Sequence, residues 1–117
     1  MSKASEMAKI IYNAMDAKQA SDIEIIDISG VSVIADYFIV TNGNNQPQVD
    51  AIVDNIEFEM YKAGYQTKRI EGNKQTSGWI LMDYGEVIVH VFNRDDRAFY
   101  SLERIWKDGK TVDPATL

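Results

Sequence analysis

The sequence contains no cysteine and only one histidine among its 117 residues. Without thiols the chain can form no disulfide, zinc–thiolate site or thiol nucleophile, and a reducing cytoplasm is compatible with it. No apolar run approaches the ~18 residues that a membrane span requires, and no hydrophobic signal-peptide segment opens the chain. We therefore expect a cytoplasmic protein without a membrane segment.

Basic residues are missing from the central third of the chain. Residues 19–61 hold eight acids and no Lys or Arg, whereas 1–18 and 62–117 each carry a net charge of +1, and the whole chain carries −6. A nucleic-acid binder normally shows the reverse, a basic stripe that faces phosphates. The acidic sector indicates either solubility or attraction to a basic protein surface, and composition alone favours solubility.

Motifs for catalysis are also lacking. His90 lies in the apolar run E-V-I-V-H-V-F, and no G-x-S-x-G elbow, EF-hand or H-E-x-x-H pattern occurs. A lone histidine in such a strand indicates a structural residue with one hydrogen bond, or a recognition residue. Asp22 and Glu24 have the spacing of a two-metal site, but a solvated strand edge is the favoured interpretation. The turn at 43–45 resembles an anion site only in outline. The sequence therefore predicts a binding protein without catalytic residues, cofactor or metal.

Hydrophobic periodicity predicts secondary structure in the order αββαβββα. The helices lie near 4–18, between the N-cap Asn45 and the C-cap Gly64, and at 96–106. The strands lie at 22–28, 37–41, 66–71, 79–84 and 86–92, and a tight turn at 84–85 closes a hairpin. This order predicts an α/β (α+β) domain with a mixed sheet of about five strands and flanking helices. We assign 1–106 to one domain and 107–117 to a polar C-terminal tail, with a core that includes Phe38, Ile52, Leu81, Val89 and Phe92.

Aromatic residues and arginines are dense after residue 78, and these are the residue types enriched at binding hot spots. Trp79 begins a strand and Tyr84 lies in a turn, so we expect these two to be the most exposed. Lys68, Arg69 and Lys74 lie before Trp79 and leave RNA binding open as an alternative.

An ordered set of motifs then resembles the Iojap/RsfS family, the ribosomal silencing factors. The motifs are E-G at 71–72, W-x-x-x-D-Y-G at 79–85, V-H-V-F at 89–92 and R-x-F-Y-x-L-E-x-x-W at 97–106. The resemblance spans about residues 5–106. The family usually has Ser where Asn45 stands, and because Asn caps a helix equally well we expect no loss of fold.

The resemblance implies a nucleotidyltransferase-like fold without that superfamily's catalysis. It also implies binding to the large ribosomal subunit through its fourteenth protein, which blocks joining of the small subunit and represses translation when nutrients are short. Organellar relatives are linked to large-subunit assembly. A homodimer and a minor contact with ribosomal RNA stay open.

We predict that the partner-binding surface contains two aromatic anchors, two acids that face Lys or Arg, and two further contacts. These are Trp79 and Tyr84, then Glu71 and Asp83, then Arg97 and Tyr100. The alternatives are a nucleotide-binding enzyme on the same fold, which needs clustered carboxylates beside an open pocket, and a large-subunit assembly factor.

Overall fold

The computed structural model describes residues 3–30, 33, 35–72, 79–93 and 110–117. Within these residues lie the helices α1 (Lys3–Ala17) and α2 (Gln46–Lys62) and a short 3-10 turn, Pro114–Thr116. The strands are β1 (Ser21–Asp27), β2 (Tyr37–Gly43), β3 (Arg69–Glu71), β4 (Trp79–Asp83), β5 (Val87–Asn93) and β6 (Lys110–Thr111). The helix predicted at 96–106 lies outside the described residues.

The second helix begins and ends as its sequence predicts. The Asn45 side chain accepts the Gln48 backbone N–H at 2.9 Å, and Pro47 occupies the first turn, where its missing N–H leaves no bond unmade. After Ala63 the chain reverses at Gly64, whose φ of +93° favours glycine. Within the described part of the chain, no helix combines the length and apolar character that a membrane crossing needs.

The six strands form one mixed sheet in the order β3-β4-β5-β2-β1-β6. Only β2 and β5 pair in parallel among these neighbours, with Ile39 opposite Val89, and the other neighbours are antiparallel. The β4–β5 hairpin closes through Tyr84, whose N–H donates to the Val87 carbonyl at 3.0 Å, and through Gly85 at φ +90°. The predicted mixed sheet, hairpin and α/β class are thus confirmed.

The two faces of the sheet carry separate apolar clusters. The inner face packs against α1 and α2 through residues such as Ile39, Ile80 and Val89. The outer face is the sheet surface opposite these helices, and its cluster includes Phe38, Val40 and Phe92. The predicted core residues Phe38, Ile52, Val89 and Phe92 are buried, whereas Leu81 is only half-buried on the outer face. Leu81 therefore lies at the margin of the second cluster, because β4 has only the short β3 beyond it.

The end of the chain does not behave as a simple polar tail. Thr111 pairs with Ile26 of β1, and the Val112 N–H donates to the Ile25 carbonyl at 2.8 Å. Val112 and Leu117 pack against the core. The prediction for 107–117 is corrected for its described part, 110–117, because this segment hydrogen-bonds the outer edge of β1.

Candidate partner-binding surface

Three of the predicted contact residues share the outer face. Strand register places Trp79 opposite Phe92, Leu81 opposite His90 and Glu71 opposite Leu81. Directly opposite residues in an antiparallel pair lie on one face, and side chains alternate along each strand. Trp79, Asp83 and Glu71 therefore belong to one surface over β3, β4 and β5. All three residues of the edge strand β3 are exposed, so this surface opens toward that edge.

Trp79 is half-buried and held by two neighbours on β5. Its indole Nε1–H donates to His90 Nδ1 at 3.1 Å. The indole lies nearly parallel to the rings of His90 and Phe92, with centroid distances of 5.8 and 6.1 Å. Such contacts fix the side chain before any partner arrives, which lowers the entropy lost on binding. Trp79 is thus partly exposed and already oriented.

His90 is the support beneath this indole. It is 3% exposed, and its ring also meets Phe38 edge-on at 4.8 Å. Because Nδ1 accepts the indole proton, the neutral ring carries its own proton on Nε2, for which the described residues supply no hydrogen-bond partner. Burial lowers the pKa of His90 to about 4, so the ring is neutral at pH 7. The structural interpretation of this lone histidine is thereby confirmed, and the single hydrogen bond links it to Trp79.

The two predicted acids occupy the rim of the outer face. Glu71 is exposed, and its Oε1 lies 3.5 Å from Arg69 Nε. Exposed ion pairs of this kind contribute little to stability, so a partner's cation can replace Arg69 at small cost. Asp83 is half-buried, and its Oδ1 accepts the Gly85 N–H at 2.8 Å, which fixes the carboxylate in the hairpin turn.

Tyr84 does not belong to this surface, and the expectation that it is exposed is wrong. It is 3% exposed and packs with the inner-face cluster. Burial, together with the nearby Glu57 carboxylate, raises the pKa of Tyr84 well above its usual value. The alternation Ile80, Met82, Tyr84 could have revealed this, since these positions share a face that is opposite to that of Trp79.

The remaining predicted contacts, Arg97 and Tyr100, lie outside the described residues, as does Lys74 of the RNA-binding alternative.

Two weaker sequence signals have structural explanations. Asp22 has a φ of +49° within a register shift between Ser21 and Glu24, so simple strand alternation does not hold there. At the start of α2, the Gln48 side chain accepts the Asn44 N–H at 2.6 Å and donates to the Lys18 and Gln19 carbonyls. This turn therefore joins the two helices. Across the described ranges, no group of three or more His, Cys, Asp or Glu residues has the arrangement of a metal site.

Comparison with known protein families gives one match over the whole chain. The model for "Ribosomal silencing factor during starvation", RsfS, matches residues 1–117.

Individual relatives agree with that match. "Ribosomal silencing factor RsfS" from Halalkalibacterium halodurans is 40% identical over 108 residues, which cover 92% of each chain. The protein of the same name from Bacillus subtilis is 42% identical over 90% of this chain and 88% of its own. A crystal structure from Bacillus halodurans, 37% identical, superposes with a TM-score of 0.81 over 92% of this chain and 97% of that one.

A more distant relative comes from mouse. It is named "Mitochondrial assembly of ribosomal large subunit protein 1" and is 26% identical over 83% of this chain, which matches 43% of the mouse protein.

Proposed function

The chain belongs to the RsfS family of ribosomal silencing factors, and from that premise we propose that it binds the large ribosomal subunit through that subunit's fourteenth protein and blocks joining of the small subunit. In this mechanism the protein acts by occupying space, and no covalent bond is made or broken. Translation is repressed in the cytoplasm when nutrients are short, and the degree of repression follows concentration and affinity.

The observation that carries this proposal is the oriented Trp79 on the open side of the outer face. Its indole is hydrogen-bonded to a buried, neutral histidine and stacked on Phe92, which leaves part of a large aromatic surface for a partner. Hot spots in protein interfaces are enriched in tryptophan for this reason. Glu71 and Asp83 flank it with negative charge suited to lysine or arginine. A standard interface needs about 800 Å² from each partner, which one face of a domain of this size supplies.

A role in assembly of the large subunit is the second candidate. It is favoured by the name of the mouse relative, which refers to ribosomal large-subunit assembly. Both candidates require the same partner particle. They differ in whether the protein acts on finished subunits or on precursors.

Co-sedimentation with purified large subunits, followed by addition of small subunits, tests the proposal. We expect the protein to sediment with large subunits, and the yield of joined ribosomes to fall as its concentration rises. Sedimentation with large subunits but full joining would contradict the silencing mechanism and favour the assembly role. A thermal shift with Mg²⁺ and a nucleoside triphosphate, followed by turnover, would instead support the nucleotide-binding enzyme.

A further inference from the structure

A cleft lies on the inner side of the molecule, away from the outer face. Its volume is about 500 Å³, within the roughly 300–1,000 Å³ usual for ligand sites. The reversal at Gly64 creates it by returning the chain alongside the last turns of α2, where the Tyr65 N–H donates to the Met60 carbonyl at 2.9 Å. The cleft is therefore bounded by α2, the segment 65–67 and the β4–β5 turn.

The lining of this cleft is mostly aromatic. Phe58 and Tyr61 are 57% and 67% exposed, although large apolar side chains on a helix are usually covered. Tyr65 and the buried Tyr84 also line the cleft. Four ring systems thus converge on one concave surface, together with the Glu57 carboxylate.

Carboxylates from three different elements act on the tyrosines of the cleft. Glu57 on α2 raises the pKa of Tyr84, after burial as the larger cause. The pKa of Tyr65 is raised mainly by burial. The Glu6 carboxylate of α1 raises it further through its charge and a hydrogen bond, and the charge of Glu86 in the hairpin turn has a smaller effect. Negative charge from three elements therefore lies near the tyrosines of the cleft, and the Glu57 carboxylate lines it.

Two lysines of the chain already make cation–π contacts with aromatic rings of the cleft. Lys62 Nζ lies 4.6 Å from the centroid of the Phe58 ring, and Lys3 Nζ lies 5.7 Å from that of Tyr65. Both distances fall within the ~6 Å of a cation–π contact. Lys62 is also paired with Glu59 at 3.0 Å, and its side chain is half exposed. An incoming cation can therefore displace Lys62 while Lys62 keeps an acidic partner.

We propose that this cleft is a second binding site, which takes one arginine or lysine side chain from an extended basic segment of a partner protein. The rings hold the cationic group and the stem of the side chain, and Glu57 supplies the counter-charge. A partner segment is favoured over a small cation because Asp50 and Asp54 precede Glu57 on α2 at spacings of seven and three residues, which places the three acids on one side of the helix. The site is separate from the outer face, so its occupation does not depend on the proposed function.

The binding test uses a short peptide that has a single arginine at its centre and only glycine and serine on either side. The control peptide carries citrulline, which is neutral and has nearly the same shape, at the central position. In a titration of the ¹⁵N-labelled protein, the arginine peptide should shift the backbone amides of Tyr61, Tyr65 and Tyr84 and leave the Trp79 indole signal in place. Equal affinity for the citrulline peptide, or shifts confined to Trp79, would overturn the proposal. Equally tight binding of spermidine would overturn the choice of a protein segment.

Matched variants separate the cleft from general attraction between opposite charges. Glu57→Gln and Asp54→Asn remove the same charge from α2, but only Glu57 lines the cleft. We expect Glu57→Gln to weaken binding of the arginine peptide about tenfold and Asp54→Asn less than twofold. Phe58→Ala should weaken it about threefold, and Lys62→Gln should strengthen it about twofold, since a competing cation is removed. Equal effects of the two acidic variants, or weaker binding by Lys62→Gln, would contradict the assignment.

Discussion

At the scale of single residues, the pair Trp79 and His90 links the stability of the domain to its proposed binding surface. The indole proton needs an acceptor, and a neutral imidazole supplies it at 3.1 Å. A protonated imidazole offers no lone pair, so the hydrogen bond exists only in the neutral form. The buried ring and its hydrogen bond together tie the orientation of Trp79 to the charge state of His90.

This arrangement predicts that the free energy of unfolding decreases as the pH is lowered, at pH values above those at which carboxylates titrate. The pKa of His90 is lowered from 6.5 to about 4 in the folded protein, so below pH 6.5 the unfolded chain binds a proton that the folded chain does not. The stabilisation is fully present above that pH and is lost as pH falls toward about 4. We expect the free energy of unfolding to drop by about 2 kcal/mol between about pH 7.5 and about pH 5. Urea unfolding at the two pH values measures this.

Because the chain has one histidine, the control is direct. His90→Gln keeps an acceptor for the indole but does not titrate, and its free energy of unfolding should change by much less over the same interval. An equal drop in both proteins would show that other groups cause the pH dependence.

Replacement of Trp79 should separate binding from stability. Trp79→Ala is expected to weaken binding to large subunits by about 2 kcal/mol, since the exposed part of the indole is lost. The variant also loses the stacking on Phe92, so some stability falls with it. Tyr12→Ala, which removes a half-buried aromatic from the helix side, serves as the control for that stability loss. Equal binding by the two variants in co-sedimentation would show that Trp79 is not a contact.

At the scale of elements, the link between β3 and β4 depends on glycine at position 72. Gly72 has a φ of +96°, and a Cβ there would run into the backbone carbonyl oxygen of Trp79. Gly72→Ala should therefore lower the free energy of unfolding by about 2 kcal/mol and displace Trp79, which weakens large-subunit binding as well. Gly30→Ala is the matched control, because a Cβ at Gly30 meets nothing within 4 Å. Chemical denaturation of both variants decides, and similar midpoints would contradict the expected clash.

The N-cap of α2 gives a second prediction at this scale. Asn45→Ala removes the acceptor of the Gln48 N–H and should cost about 1 kcal/mol of stability. Asn45→Ser should change stability by only a few tenths of a kcal/mol, because serine accepts the same bond. Thermal unfolding of the two variants measures the difference, and a large loss in Asn45→Ser would show that Asn45 has a role beyond capping.

Local sequence signals predicted most of the elements but not how the sheet is completed. Alternation and periodicity located both described helices and the first five strands, and the caps Asn45 and Gly64 were identified from residue type. The pairing of β2 with β5 brings Ile39 beside Val89 across a long stretch of chain, and no local pattern encodes such a partner. Strand β6 has only two residues, too few for alternation to be visible. The prediction that Tyr84 is exposed relied on its position in a turn. Its spacing of two residues from Met82 instead places both side chains on the inner face of the sheet.

At the scale of the whole molecule, the sheet separates two surfaces of different chemistry. The outer face presents Trp79 with acids at its rim, and the inner side presents the aromatic cleft beside α2. Both suit basic partners, in keeping with a chain whose central third has no Lys or Arg. The sequence predicted the acidic sector, but only the fold shows that its helix α2 and Trp79 lie on opposite sides of the sheet.

This separation predicts that charge affects the rate of docking more than the lifetime of the complex. Asp50 and Asp54 do not lie on the outer face, so they act on a basic partner there only through the long-range field. Ions screen that field, with a Debye length of about 10 Å at 0.1 M salt and about 3 Å at 1 M. The association rate with the isolated fourteenth protein of the large subunit should therefore fall several-fold between these salt concentrations, while the dissociation rate changes little. Asp50→Asn with Asp54→Asn should flatten this dependence. The control variant Glu71→Gln should mainly raise the dissociation rate, because Glu71 belongs to the proposed contact surface. Surface plasmon resonance measures both rates, and an association rate that is insensitive to salt would exclude steering by the acidic sector.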